Sequence, residues 1–139
     1  MSLNSAPAKQ NDELAAVTAV PQRIIDAWAG NDAEAFADVF AEDGTMALPG
    51  VFVKGREGVK NFMAAGYAGP YKGTRVYGEP IDVKFLGADS AVVVTLGGVL
   101  GKGETEIAEE RKVRALWVLA KNDGEWQLAA YQNTPANAA

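Results

Sequence analysis

The stretch from Asn31 to Met63, NDAEAFADVFAEDGTMALPGVFVKGREGVKNFM, constrains the fold more than any other, because it sets two helix signals around a short apolar hairpin. Asp32 stands where an N-cap is expected, with a side chain able to accept from the free backbone N–H groups of Glu34 or Ala35. Phe36, Val39 and Phe40 follow at helical spacing, which predicts a helix ending at Asp43-Gly44. Thr45 to Leu48 then reads as extended, Pro49-Gly50 as a tight turn, and Val51 to Val53 as a second short strand. Gly55 releases the chain into a further helix from Arg56.

Around this centre the chain divides into helix before and sheet after. Residues 1–11 are polar and small and read as a disordered tail. From Asp12 onward, Leu14, Val17, Pro21, Ile24 and Trp28 share one helical stripe, and Pro21 within it predicts a kink or a break between two helices. That stripe is core, with Ile24 and Trp28 placed to face a cavity. Val59, Phe62, Met63 and Tyr67 share a face of the helix from Arg56, which decays through Gly66 and Gly69-Pro70. After Thr74 the period changes to two: Ile81, Val83 and Phe85 alternate with Asp82 and Lys84. Ala91 to Leu100 is apolar on both faces, and Gly97-Gly98 suggests a bulge or bend. Glu109 to Ala120 and Trp126 to Asn133 make the last two strands around Asn122-Asp123-Gly124. The order ααββαββββ is an α+β domain, three helices on one face of a curved, mostly antiparallel sheet, spanning residues 12–134 with a short tail at 135–139.

Composition narrows the chemistry. At 139 residues and 48% apolar content the chain suits one domain with a sizeable core. It has no Cys and no His, which removes thiolate nucleophiles, disulfides, imidazole acid–base catalysis and the usual zinc sites. The acidic pairs Glu42-Asp43 and Glu109-Glu110 lack the spacing of a calcium loop, so neither a metal nor a cofactor is expected. A net charge of −5 with scattered Lys and Arg argues against a nucleic-acid partner. No apolar run approaches membrane-spanning length and no secretory signal is legible, so the expectation is a cytoplasmic protein with no membrane partner.

The order of elements, with IIDAWAGNDAEAFADVFAEDGTM, PGVFVKGREGVKNFM and the terminal GEWQLAAYQNT, resembles the nuclear-transport-factor-type, SnoaL-like superfamily of cone-shaped α+β domains over residues 12–134. GREGVKNFM and YQNTP are most similar to its SgcJ/EcaC-like group, some of whose members are associated with enediyne polyketide biosynthesis in actinomycetes. The resemblance implies a cavity between the helices and the concave sheet face, homodimers through the other sheet face, and small apolar or polyketide-like ligands. Ketosteroid isomerases of the superfamily pair a carboxylate base on the first short strand with a Tyr and a protonated Asp. Here QRIIDAW puts Ile24 at the Tyr position, FAEDGTMALPG puts Leu48 at the base position, and the second acid falls at or near Leu116. SnoaL-type cyclases use a His and Asp pair, and this chain has no His. The resemblance therefore implies a small-molecule binding or accessory protein. A His-free cyclase or isomerase and a protein-interaction module are the alternatives.

Strand parity then assigns the faces. If Asn122-Asp123-Gly124 is a three-residue loop, Val118 opposes Leu128, Leu116 opposes Ala130 and Arg114 opposes Gln132, all on one face. The expected ligand site on that reading is Trp28, Phe40, Leu48, Phe62, Leu116 and Leu128 as walls, with Arg114 and Gln132 as the polar end. Trp117 and Tyr131 fall on the opposite face and are expected in a homodimer interface. Arg114 also fits a rim salt bridge to Glu110 or Glu79. For catalysis the residues to consider are Asp43, which reads first as a turn anchor, and Tyr77, which with Tyr71 can bring a hydroxyl to the mouth. A one-residue slip in the turn exchanges the two faces.

Overall fold

The structure is a computed structural model that describes the backbone of residues 2–137 and the side chains of residues 11–137. Helix α1 (Ser2–Ala29) and the short α2 (Ala33–Asp38) lead into strands β1 (Phe40–Leu48) and β2 (Val51–Lys54), then helix α3 (Arg56–Ala68). Strands β3 (Arg75–Gly87), β4 (Ser90–Leu100), β5 (Val113–Asn122) and β6 (Glu125–Pro135) complete a six-stranded sheet in the order β2-β1-β6-β5-β4-β3. β1 runs parallel to β6, and every other neighbouring pair is antiparallel. The class is α+β, with a meander of four long strands extended by the β1–β2 hairpin.

Local chemistry accounts for the framework. Asp32 caps α2 by accepting from the Ala35 amide at 3.0 Å, and Gly50 takes the positive φ of 76° that the Leu48–Val51 turn requires. α3 buries Val59, Met63 and Tyr67 along one face, with α1 presenting Val17, Val20, Pro21, Ile24 and Trp28 beside it. Each such side chain removed from water contributes about 1.5–3 kcal/mol. On the sheet these helices meet Ala91, Val93, Ala115, Trp117, Leu119, Trp126 and Leu128.

Several elements differ from the sequence expectation. The helix of residues 33–38 stops well before Asp43-Gly44, because tertiary partners take its next carbonyls. Val39 O accepts from the Leu128 amide at 2.9 Å, and Phe40 O from the Arg56 guanidinium at 3.0 and 2.8 Å. Gly44 therefore lies inside β1, where a Cβ would come 2.8 Å from Leu128 O. α1 begins at Ser2, so residues 2–11, expected as a disordered tail, continue the helix; Ala6, Ala8, Lys9 and Gln10 are all good helix formers. It also passes through Pro21 as one element. β3 starts at Arg75, ahead of the Ile81–Phe85 alternation, with a register shift between Pro80 and Asp82. Within the expected tail, Pro135 closes β6, the Ala136 amide donates to Lys112 O at 2.9 Å, and residues 138–139 lie outside the described residues.

The largest correction concerns register. The β5–β6 turn has two residues, Asp123 (φ 50°) and Gly124 (φ 80°), so Asn122 faces Glu125 and Leu119 faces Leu128. Compared with a three-residue loop, this slips the pairing by one, so Leu128 shares its face with Leu119 and Trp117 instead of Val118 and Leu116. A further shift between Val118 and Leu119 sets Ala130 opposite Val118 and Tyr131 opposite Trp117, which brings Tyr131 to the inner face. Trp117 is consequently only 5% exposed, whereas Leu116 is 41% exposed.

Candidate functional site

The inner face of the sheet and the helices enclose a cavity of about 120 Å³. Its sheet wall is Thr95, Gly97, Val99, Ala115, Trp117 and Tyr131, and its helix wall is Ile24, Trp28, Phe36 and Met63. Met46 and Leu48 from β1 close one side, and Tyr71, Val76 and Tyr77 form the other end. Tyr77 is half in solvent and marks the mouth.

Aromatic packing fixes much of this wall. Trp28 meets Tyr67, Tyr71 and Phe36 with ring centroids 5.6, 5.0 and 6.0 Å away, and its indole N–H donates to Thr74 Oγ1 at 2.8 Å. The Thr74 hydroxyl in turn donates to Tyr71 O at 2.6 Å, so the turn carrying Tyr71 is tied to the end of α1. Asn31 adds to the tie: its amide donates to Trp28 O at 2.8 Å, and its oxygen accepts from the Gly73 amide at 2.8 Å. Gly66 makes room for the Tyr71 ring, since a Cβ there would lie 2.5 Å from Cδ2 of that ring. Opposite, Trp117 and Tyr131 pack edge to face at 4.9 Å.

Two hydrogen-bonded pairs of polar groups interrupt the apolar wall. The Trp117 indole N–H donates to Thr95 Oγ1 at 2.9 Å, and the Asn133 amide donates to the Tyr131 hydroxyl at 3.1 Å. Burial raises the pKa of the Tyr131 phenol, the Asn133 bond opposes this, and nearby Tyr71 adds to the rise. No Asp, Glu, Lys or Arg lines the cavity among the described residues.

Of the residues expected at the site, Trp28, Phe40, Leu48 and Leu128 line the cavity, as do Tyr71 and Tyr77. Phe62 packs half-buried against the core and is not part of the wall. Arg114, Leu116 and Gln132 share one face as expected, but it is the outer one: the inner face, set by the Leu119–Leu128 pair and the shift beside it, carries Ala115, Trp117 and Tyr131. Trp117 and Tyr131, expected in a dimer interface, are cavity walls for the same reason. Asp43 is exposed in a surface groove with Glu42, Arg56, Lys121 and Asp123, remote from the cavity lining. Of the positions that carry polar groups in the isomerases, Ile24 and Leu48 do face the cavity; at the third, Leu116 does not, and its inward neighbours are Ala115 and Trp117. Thr95, Met46, Met63 and Asn133 were not among the expected residues. The Asp123-Gly124 pair, a strong two-residue hairpin signal, is what would have put Trp117 on the face of Leu128, whereas Tyr131 and Asn133 come inside only through the shift between Val118 and Leu119.

The SnoaL-like domain family profile matches residues 12–132. The chain belongs to the SnoaL-like domain family. Solved structures share its fold. A domain of unknown function with a cystatin-like fold from Nostoc punctiforme is 30% identical with a TM-score of 0.81, covering 89% of this chain and 77% of its own. A nuclear-transport-factor-2-like protein with a cystatin-like fold from Novosphingobium aromaticivorans superposes with a TM-score of 0.84 at 18% identity, covering 100% and 92%. A ketosteroid isomerase-like protein from Erwinia carotovora atroseptica has a TM-score of 0.73 at 22% identity, covering 92% and 99%. The last two share the fold alone. No curated protein matches by sequence. This SnoaL-like domain thus holds a cavity in the concavity of its sheet that opens past Tyr77 and has no charged side chain in its lining among the described residues.

Proposed function

We propose that the protein binds a compact, neutral, ring-bearing molecule in this cavity and acts as a binding or accessory protein. The observation that carries the reading is the lining itself: aromatic and aliphatic walls with hydroxyl and amide groups and no charged side chain among the described residues. At about 120 Å³ the space is near the ~150 Å³ that takes one benzene ring, so a single ring fits inside while a longer ligand extends past Tyr77 into the mouth. The likeness of GREGVKNFM and YQNTP to the SgcJ/EcaC-like group supports an aromatic or enediyne polyketide setting. An isomerase or cyclase reading needs a proton-transfer group at the ligand. Asp43 is outside the cavity, and a tyrosine acts as a base only after losing its proton, which burial holds at Tyr131.

Isopropylbenzene added to the protein is expected to quench tryptophan fluorescence, because Trp28 and Trp117 both touch the cavity. Leu48→Asp sets a carboxylate at the half-buried wall and is expected to weaken that binding at least tenfold. Mass spectrometry of organic extracts is expected to find neutral ring compounds carried by the purified protein. Unchanged fluorescence at saturation, with ligand-free extracts, would contradict the reading.

The proposal includes a homodimer through the outer sheet face, where Val94, Leu96, Leu116, Val118 and Ala130 form an apolar band across three strands. Leu116→Glu is expected to give a folded monomer by sedimentation. A wild-type monomer at micromolar concentration would refute the dimer.

A further inference from the structure

Thr95 is the buried polar side chain of the described core, 2% exposed on the cavity floor. Its hydroxyl receives the Trp117 indole N–H at 2.9 Å. An indole nitrogen only donates, so this bond uses an oxygen lone pair and leaves the hydroxyl proton free. Gly78 stands beside that hydroxyl, and even a Cβ built there would be 3.6 Å from Thr95 Oγ1. Gly97, on the same floor, also withholds a side chain. Tyr131 repeats the arrangement: the Asn133 amide donates to its oxygen, and the phenolic proton is left for another acceptor. Burial keeps that phenol protonated. Both hydroxyls line one cavity whose remaining wall is almost wholly apolar. A buried hydroxyl without an acceptor costs free energy, and a ligand oxygen that accepts removes the cost.

We propose that Thr95 and Tyr131 are preset hydrogen-bond donors, held by Trp117 and Asn133, that recognise a carbonyl oxygen, so that the ligand class is a compact neutral ketone or related carbonyl compound. The inference rests on the binding reading above and adds the polar group that the ligand must carry. Without a charged base in the lining, the carbonyl is held and oriented.

Acetophenone and isopropylbenzene share one heavy-atom skeleton and differ in the carbonyl, which makes them the probes. In the wild type, the carbonyl stretch of bound acetophenone is expected to shift to lower frequency than in hexane. Tyr131→Phe and Thr95→Val are each expected to weaken acetophenone about tenfold while leaving isopropylbenzene within about twofold. Thr95→Ser, which keeps the hydroxyl, is expected to retain acetophenone binding. If isopropylbenzene binds, but the carbonyl frequency matches that in hexane and the variants treat both probes alike, the donor assignment is wrong and the apolar cavity stands. If neither probe binds, the binding reading itself fails. The infrared readout on wild-type protein keeps the test decisive where Thr95→Val, which strands the Trp117 indole, fails to fold.

Discussion

Replacing Trp117 by Ala should cost far more than replacing its neighbour Leu116, and the contrast tests the register on which the cavity depends. Trp117 is 5% exposed, packs edge to face on Tyr131 at 4.9 Å and donates its indole N–H to the Thr95 hydroxyl oxygen. Its truncation removes most of a buried indole and leaves a hole beside the existing cavity, for which about 3–5 kcal/mol is expected. At this chain length that corresponds to a fall in Tm of roughly 12–20 °C. Leu116 is 41% exposed on the outer face, so Leu116→Ala should cost about 1 kcal/mol or less in the monomer. Equilibrium urea unfolding of both variants, at two protein concentrations, separates the effects: the Trp117 loss is independent of concentration, and any Leu116 loss that comes from a dimer is not. If Leu116→Ala proved as costly as Trp117→Ala at low concentration, the three-residue loop and its opposite facing would be restored.

Gly97→Ala should destabilise the sheet by about 3 kcal/mol or more, since a Cβ there would overlap the Tyr77 carbonyl and lie 2.7 Å from Gly78 Cα, both in backbone that cannot swing aside. Gly30→Ala, whose Cβ would meet nothing nearer than 3.8 Å, is the control and should change Tm by no more than a few degrees in the same thermal scan. Two of the four tyrosines should resist ionisation in an alkaline titration at 295 nm, because burial raises the phenols of Tyr67 and Tyr131 above their ordinary 10.0, with the Asp32 charge adding at Tyr67. Their folded forms hold the proton more tightly than the unfolded chain, so the stability they contribute is complete below pH 10 and declines as the pH rises beyond it; four tyrosines titrating together in the folded protein would contradict this.

Much of the fold was legible because local signals and burial pointed the same way. The Asp32 cap, the Pro49-Gly50 turn, the Val59–Met63–Tyr67 face and the shift to period two after Thr74 each correspond to an observed element. The site was less legible for a physical reason. β5 and β6 carry apolar residues on both faces, Leu116 and Val118 outward against Trp117 and Leu119 inward, so burial pattern alone could not choose the register. The choice lay in the backbone of Asp123 and Gly124, both at positive φ, and in the shift beside Leu119 that no sequence period announces. The short α2 shows the complementary limit. Phe40 has helical spacing from Phe36, but the Leu128 amide and the Arg56 guanidinium, distant in sequence, claim the carbonyls a longer helix would have used.

Crystals of the protein soaked with iodobenzene test the central claim most directly, since the iodine marks the ligand by anomalous scattering. An uncharged cavity that accepts one ring predicts a single dominant iodine peak inside the sheet concavity, flanked by Met46, Trp117 and Tyr131. An empty concavity at full soak, with iodine found only on the outer face around Leu116 and Val118, would contradict it.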